Sequence, residues 1–320
     1  MAVISASAID VHAHYLPPSY RAALARAGIE HPDGMPRVPD WSESSALALM
    51  DGVGIGAALL SISSPGLSFA DPQERVDLAR SVNEDGAAAC RNHPARFGLL
   101  ASVPLPDVDA AVREIEFAYD ALSVDGISLM SNYDGIYLGD DRFEPVMDEL
   151  ERRGALAVIH PTAPPAAAAL DYGWPSPMLE FPFDTTRAVV KLILSGTLAR
   201  HPRIRVIVPH VGSALSVLSD RVQGFVNAFA GAERPAPDVF AALRGLWFDV
   251  TGDAFPNALA ALLPIADPGR ILYGSDMPFG PRSHVIDAAE RLLSTDLLDD
   301  DTRLGVLREN ALVLVPRLAG

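Results

Sequence analysis

Four short fragments each put a side chain that favours divalent metals where an apolar run ends: Asp10-Val11-His12-Ala13-His14, Ile159-His160-Pro161-Thr162, Pro209-His210-Val211-Gly212 and Tyr273-Gly274-Ser275-Asp276. A divalent cation needs nitrogen and oxygen donors converging from several directions, and distant segments supply them only when their strands end on one rim. His12 and His14 are two residues apart, so on an extended strand they share a face and chelate together. His160 and His210 close two further runs. Asp276 closes another, where a carboxylate is costly unless it is paired or bound to metal. Taken singly, each histidine has an ordinary core or surface explanation. Together they form a set of imidazoles and one carboxylate suited to zinc first and manganese second. Asp10 is expected to anchor the first loop or to support a ligand from behind.

The elements that must position these groups follow from apolar periodicity. Strands are predicted near Ala8–Val11, Ala57–Ser61, Phe97–Ser102, Gly126–Met130, Leu156–His160, Ile204–Val208, Leu246–Thr251 and Arg270–Tyr273. Helical patterns lie between them, among them Asp71–Asn92, Asp107–Leu122, Arg142–Arg153, Thr185–Arg200 and Ser213–Phe229, with Asp71, Asp107 and Ser213 as caps. Strands alternating with helices give a parallel sheet, and eight such units close into a (β/α)8 TIM barrel. An open doubly wound sheet would call for a glycine-rich phosphate turn after the first strand, which is missing; Gly52–Gly56 precedes the second strand and reads as a helix-ending turn. Two stretches break the alternation, Tyr15–Trp41 after the first strand and Pro161–Pro182 after the fifth. The aromatics Tyr172, Trp174, Phe181 and Phe183 mark the second as a substrate lid, with Trp174 against the substrate. Among the other histidines, His31 lies in the first loop, His93 and His201 each precede a proline at a helix end, and His284 opens the last major helix, where capping is its expected role.

Composition narrows the class. At 320 residues with 49% apolar content, the chain is large enough for one barrel domain spanning 1–320. Its net charge of −16 argues against nucleic acid and anionic membranes, which attract clustered cations. The single cysteine, Cys90, excludes an intrachain disulfide and a thiolate cluster, so any metal relies on histidine and carboxylate. The start of the chain lacks a basic region followed by a long apolar stretch, and no run approaches a membrane span, so a soluble cytoplasmic protein is expected.

With these motifs in hand, the chain resembles the amidohydrolase superfamily, in the branch of aminocarboxymuconate semialdehyde decarboxylase, γ-resorcylate decarboxylase and 6-methylsalicylate decarboxylase. The similarity also takes in Leu138-Gly-Asp-Asp-Arg-Phe-Glu-Pro-Val-Met-Asp-Glu-Leu150 and Glu180-Phe-Pro-Phe-Asp-Thr-Thr-Arg187. The resemblance implies that His12, His14, His160 and Asp276 bind one metal and that His210 sits beside it as a catalytic group. It also implies that Arg221 crosses a homodimer interface to grip a substrate carboxylate, and that Arg37 holds a carboxylate as well. His12 groups the chain with members that carry His-x-His on the first strand, as opposed to Glu-x-His. One departure is His-Val-Gly-Ser at the sixth strand, where relatives commonly follow the histidine with glycines. Binuclear members bridge two metals through a lysine at the end of the fourth strand. Here that strand ends Leu129-Met130-Ser131-Asn132, and the only lysine, Lys191, lies in a helix, so one metal is expected.

The chemistry implied is nonoxidative decarboxylation of a small aromatic or unsaturated carboxylate such as a 2-hydroxybenzoate, with Asp276 or His210 delivering the proton. The alternative is hydrolysis of a lactone, amide or related ester, in which Asp276 acts as base and His210 steadies the oxyanion.

Overall fold

The computed structural model describes residues 3–4, 7–170, 172–231 and 235–319; Met1, Ala2, Ser5 and Ala6 of the N-terminal stretch read above lie outside them. Eight strands form one sheet in sequence order: β1 (Ala8–His14), β2 (Ile55–Ser61), β3 (Phe97–Ser102), β4 (Gly126–Met130), β5 (Leu156–His160), β6 (Arg205–Val208), β7 (Trp247–Asp249) and β8 (Ile271–Leu272). Every neighbouring pair is parallel. The last strand returns to the first through Val11 N to Tyr273 O (2.9 Å), Asp276 N to His12 O (2.9 Å) and His14 N to Met277 O (2.7 Å). These bonds close the (β/α)8 barrel and stitch two metal-liking segments directly together.

Two apolar layers hold the barrel. Ile9, Val11, Leu59, Leu100, Leu156, Val158, Ile207, Trp247 and Leu272 fill its interior and continue into Leu314, Val315 and Leu318 of the C-terminal segment. That segment plugs the end at which the strands begin: the Arg317 guanidinium donates to Asp125 and to the carbonyls of Pro94 and Phe97. A larger layer, including Phe97, Phe143, Val189 and Phe248, packs the strands against the helices. With the bottom filled by side chains, only the rim at the strand C-termini is open for chemistry.

The helices start and stop where local chemistry dictates. Asp71 caps Pro72–Asn92 by accepting from Glu74 N (3.0 Å), and Asp107 caps Val108–Leu122 by accepting from Ala110 N (3.0 Å). Each such cap contributes about 1 kcal/mol. Gly54 ends Glu43–Val53 in a left-handed conformation, in line with the turn expected there. The Ser213 cap is corrected. The helix begins at Leu215 after Ala214, and Ser213 has φ 56°, which turns its hydroxyl back to Pro209 O. The stretch Thr185–Arg200 is two helices, Glu180–Leu194 and Thr197–Arg200, parted by Gly196 at φ 75°. The segment after β1 carries a helix at Pro18–Arg26, and the one after β5 carries two short 3-10 turns, Ala167–Leu170 and Ser176–Met178. Among the described residues no helix is long and apolar enough to cross a membrane.

Candidate metal centre and its cavity

β1 does not run in simple alternation. Asp10 pairs with Ala58 and Ala13 with Leu60, so β1 takes three steps where β2 takes two. This bulge leaves Ile9 and Val11 in the barrel interior while Ala13 joins the outer layer. His12 and His14 are thereby aimed over the interior at the open rim. One donor atom from each of His12, His14, His160 and Asp276 lies within 4.8 Å of the others. The His12 ring centroid is 5.0 Å from that of His14, 5.4 Å from His160 and 5.2 Å from His210.

The partners behind the rings fix which nitrogen faces the centre. His12 Nδ1 donates to Asp249 Oδ2 (2.9 Å). His14 Nδ1 lies 3.0 Å from Ser61 Oγ, whose own hydroxyl donates to Ala13 O. His160 Nδ1 donates to Pro161 O (2.7 Å). All three Nε2 atoms face the centre, that of His160 with the Ser63 hydroxyl 3.4 Å away. Of these, the buried His12 Nε2 has no hydrogen-bond partner, although it lies 3.6 Å from Asp276 Oδ1. His14 Nε2 is 3.0 Å from the same oxygen. Three imidazole nitrogens and a carboxylate aimed at one point, one of them orphaned, fit a divalent cation and lack any other common ligand.

Charges in the cluster are skewed accordingly. Burial opposes a proton on His12, but the Asp249 carboxylate beside it prevails and its pKa is pushed up to about 9. Burial lowers His14 and His160. Burial also works against the ionised Asp276, yet the bond from His14 and the charge of His12 hold it well below the usual carboxylate range. A prediction follows for metal uptake. At about pH 7.5 His12 carries two ring protons, and a cation at Nε2 must expel one, so binding should release about one proton per ion. The release should fade as pH rises through about 9. Calorimetric titration in buffers of different ionisation enthalpy measures it, and a heat independent of buffer would contradict the assignment.

His210 stands on a strained turn. His210, Val211 and Ser213 have φ of 55°, 56° and 56°, and Gly212 has φ of 70°. A β-branched residue in this region is a genuine outlier, of the kind concentrated at functional sites. Its physical meaning matches the sequence departure, since valine occupies a backbone conformation that glycine adopts freely. Burial lowers the His210 pKa to about 4, so the ring is neutral near pH 7, and its Nδ1 is buried without a partner. Asp276 is also left-handed, at φ 60°.

Asp249, at the end of β7, was not singled out in the sequence. It orients His12 and accepts from the backbone N–H groups of His210 and Thr251, each at 3.0 Å. The signal was present, because Trp-Phe-Asp249 ends an apolar run on an acid just as Asp276 does. Asp10 takes the supporting role expected of it: it accepts from His12 N, Ser275 N and the Ser275 hydroxyl, tying β1 to the segment bearing Asp276. Gly274 permits that closeness, for a Cβ there would lie 2.9 Å from His12 Cβ and 2.0 Å from Thr251 Oγ1.

A cavity of about 320 Å³ opens beside the cluster, bounded by His160, His210 and Asp276 and walled by Pro32, Met35, Pro177, Phe181, Phe279 and Pro281. Among the described residues no lysine or arginine lines it. Asp33 does, in a turn at φ 52°, where burial raises its carboxyl against the hydrogen bonds from Ser64 and Ala163 N–H. Of the aromatics expected to form a lid, Phe181 lines the cavity and Trp174 does not. The turn at Ser176–Met178 packs on the Pro32–Gly34 turn, leaving Trp174 outside, 71% exposed on a separate depression with Tyr172 and Leu179. Arg37 is exposed and does not line the cavity. Arg221 is exposed too, its guanidinium 4.8 Å over the Phe225 ring. The outlying histidines are partnered elsewhere: His31 with Met35 O, His93 with Glu43, and His201 with Thr197 O and Asp148. His284 departs from its expected capping role. Pro281 holds the cap position, and the His284 ring lines the cavity.

Comparison with known proteins adds the following. The profile described as amidohydrolase matches residues 9–317. The 6-methylsalicylic acid decarboxylase acuB of Aspergillus aculeatus is 36% identical over 326 residues, covering 97% of this chain and 96% of that protein. A crystal structure of an amidohydrolase II superimposes with a TM-score of 0.91 at 33% identity, covering 97% of this chain and 100% of the other. The 5-carboxyvanillate decarboxylase LigW of Sphingomonas paucimobilis gives a TM-score of 0.87 at 25% identity, covering 97% and 99%.

Proposed function

The chain belongs to the amidohydrolase family, and from that premise we propose that it is a metal-dependent nonoxidative decarboxylase of a single-ring aromatic acid of the 2-hydroxybenzoate class. The observation that carries the reading is the cavity itself. At about 320 Å³ it lies at the small end of ligand pockets, it has apolar and aromatic walls, and it reaches the metal-liking cluster through His160 and Asp276, with His210 beside them. A relative that is 36% identical over nearly its whole length is named for the same chemistry, which makes 6-methylsalicylate the first substrate to try.

Direct loss of carbon dioxide from an aryl acid would leave an sp² carbanion. Protonating the carboxyl-bearing carbon first avoids it: the new C–H bond forms, the C–C bond to the carboxylate then breaks, and its electron pair restores the ring. Net, the acid anion and one proton give the arene and carbon dioxide. His12, His14, His160 and Asp276 would hold one divalent cation, zinc first and manganese second. When bound, the cation would supply Lewis-acid polarisation of the acid's oxygen atoms. Asp276 and His210 border the cavity and are the two groups positioned to carry the proton. Phe181, Phe279 and the prolines around them keep the ring out of water.

Metal-loaded protein incubated with 2-hydroxybenzoates and, separately, with lactones tests the reading. Carbon dioxide together with the matching phenol supports it. Ring-opened acids without carbon dioxide would replace it with the hydrolase.

We further propose a cytoplasmic homodimer that completes its own cavities. Among the described residues the cavity wall has no arginine for a substrate carboxylate, whereas Arg221 stands in an open stripe with Val217, Phe225 and Phe229, spaced four residues apart on the helix Leu215–Phe229. These three side chains are 76%, 53% and 74% exposed, an apolar face that calls for a partner. Mixing inactive Arg221→Ala with inactive His210→Ala subunits should restore partial activity, since one mixed cavity holds both intact residues. Reassociated mixtures that stay inactive would rule the arrangement out.

A further inference from the structure

His284 differs from every other histidine outside the metal cluster. His31, His93 and His201 each have a hydrogen-bonding partner that accounts for them. The His284 ring makes no hydrogen bond or ion pair among the described residues. The residue lies in the first turn of the helix Arg282–Ser294, where its backbone N–H donates to Pro281 O (2.9 Å), and its ring lies beside Gly280, where a Cβ would sit 3.6 Å from its Cδ2. It is half-buried and faces the cavity that ends on Asp276. A second small cavity of about 50 Å³, bordered by Asp253, Asp287 and Arg291, lies against it and shares Gly252 with the first. His284 therefore forms part of the wall between the two.

It also stands apart from the metal centre. The His12 ring meets those of His14, His160 and His210, and His14 also meets His160 and Phe279, but none meets His284. Nor does His284 pair with Asp276, which His12 and His14 approach. Seven residues, Met277 to Ser283, separate it in sequence from Asp276. Pro32, Met35, Pro177, Phe279 and Pro281 make much of the cavity wall apolar, and His284 adds to it an imidazole without a protein partner. Polar groups facing a cavity with nothing to bind are satisfied by the ligand, and a few of them fix its orientation.

We propose that His284 is a substrate-positioning and specificity-determining residue that hydrogen-bonds an oxygen substituent of the aromatic ring, a hydroxyl or a second carboxylate, on the side away from the metal centre. This rests on the aromatic-acid reading above and narrows its substrates to acids carrying such a ring substituent. Asp33 also lines the cavity, but its carboxylate already accepts from Ser64 and Ala163. His284 thus remains the free reader of that end of the ring.

The test compares wild type with His284→Phe and His284→Gln, all metal-loaded. The ligands are 2-hydroxybenzoate, a dihydroxybenzoate and a 2-hydroxybenzoate bearing a second carboxylate. Binding is measured by calorimetry, and turnover by carbon dioxide release. The expected result is tighter binding of at least one oxygen-substituted acid than of 2-hydroxybenzoate by wild type. His284→Phe should lose on the order of tenfold in affinity and KM for that acid, the scale of one hydrogen bond, with metal content and 2-hydroxybenzoate binding kept. His284→Gln should restore part of the loss. Which of the two acids responds tells hydroxyl from carboxylate. Equal binding of all acids by wild type and His284→Phe overturns the proposal. A uniform loss for all three acids also overturns it, for that marks a structural role. Selective binding without carbon dioxide release leaves His284 as the ring reader and overturns the decarboxylase instead. No binding of any acid overturns both.

Discussion

Protein carrying His12→Ala and His160→Ala should leave purification nearly free of divalent metal and release no carbon dioxide above the solvent background. Two of the three converging Nε2 atoms are then gone, and His14 with Asp276 alone spans only one side of the site. Outer partners of metal ligands are typically worth about 10–100-fold in affinity, so losing two direct donors should cost at least ~10⁴. Elemental analysis reads the metal directly, and circular dichroism checks the fold, which the apolar layers around the strands maintain independently. Asp249 keeps two acceptor bonds, from the N–H groups of His210 and Thr251, when His12 is removed. Unchanged metal content in the double variant would show that the centre lies elsewhere.

The second large effect falls on rate and spares the metal. His210→Asn is the informative substitution, because the backbone there has φ 55°, a conformation asparagine tolerates better than most residues. Its N–H can still donate to Asp249, so the end of β7 and the orientation of His12 should survive. The variant should bind metal normally while kcat falls by ~10²–10⁴-fold, the usual contribution of a positioned acid–base group. Turnover near the wild-type rate would remove His210 from the chemistry. Joint loss of metal and activity would show that His210 supports the cation after all.

The amino-acid sequence by itself determined the strand count, the barrel and the identity of the converging groups. Apolar runs alternating with amphipathic ones have few compact solutions, and in a parallel barrel every strand ends on the same rim. A histidine or aspartate ending such a run is therefore directed to one place, whatever its distance in sequence. Asp71 and Asp107 were legible as caps for a similarly local reason, since the side chain satisfies an N–H three residues on.

Tertiary structure decided what depends on partners distant in the chain. The bulge in β1, which aims His12 and His14 at the rim, comes from its pairing with β2 and leaves no periodicity to read. Asp249 became a support for His12 only through a hydrogen bond across 237 positions. Trp174 was left outside and Phe181 brought inside because two proline-bearing turns, from the segments after β1 and β5, pack on each other. His284 looked like a helix cap because its sequence position suits one, yet its ring faces the cavity, and a cavity's walls are assembled from every loop at once. Local rules fix an element and the residue at its end; where a side chain points, and what it meets there, is set by the neighbours that packing supplies.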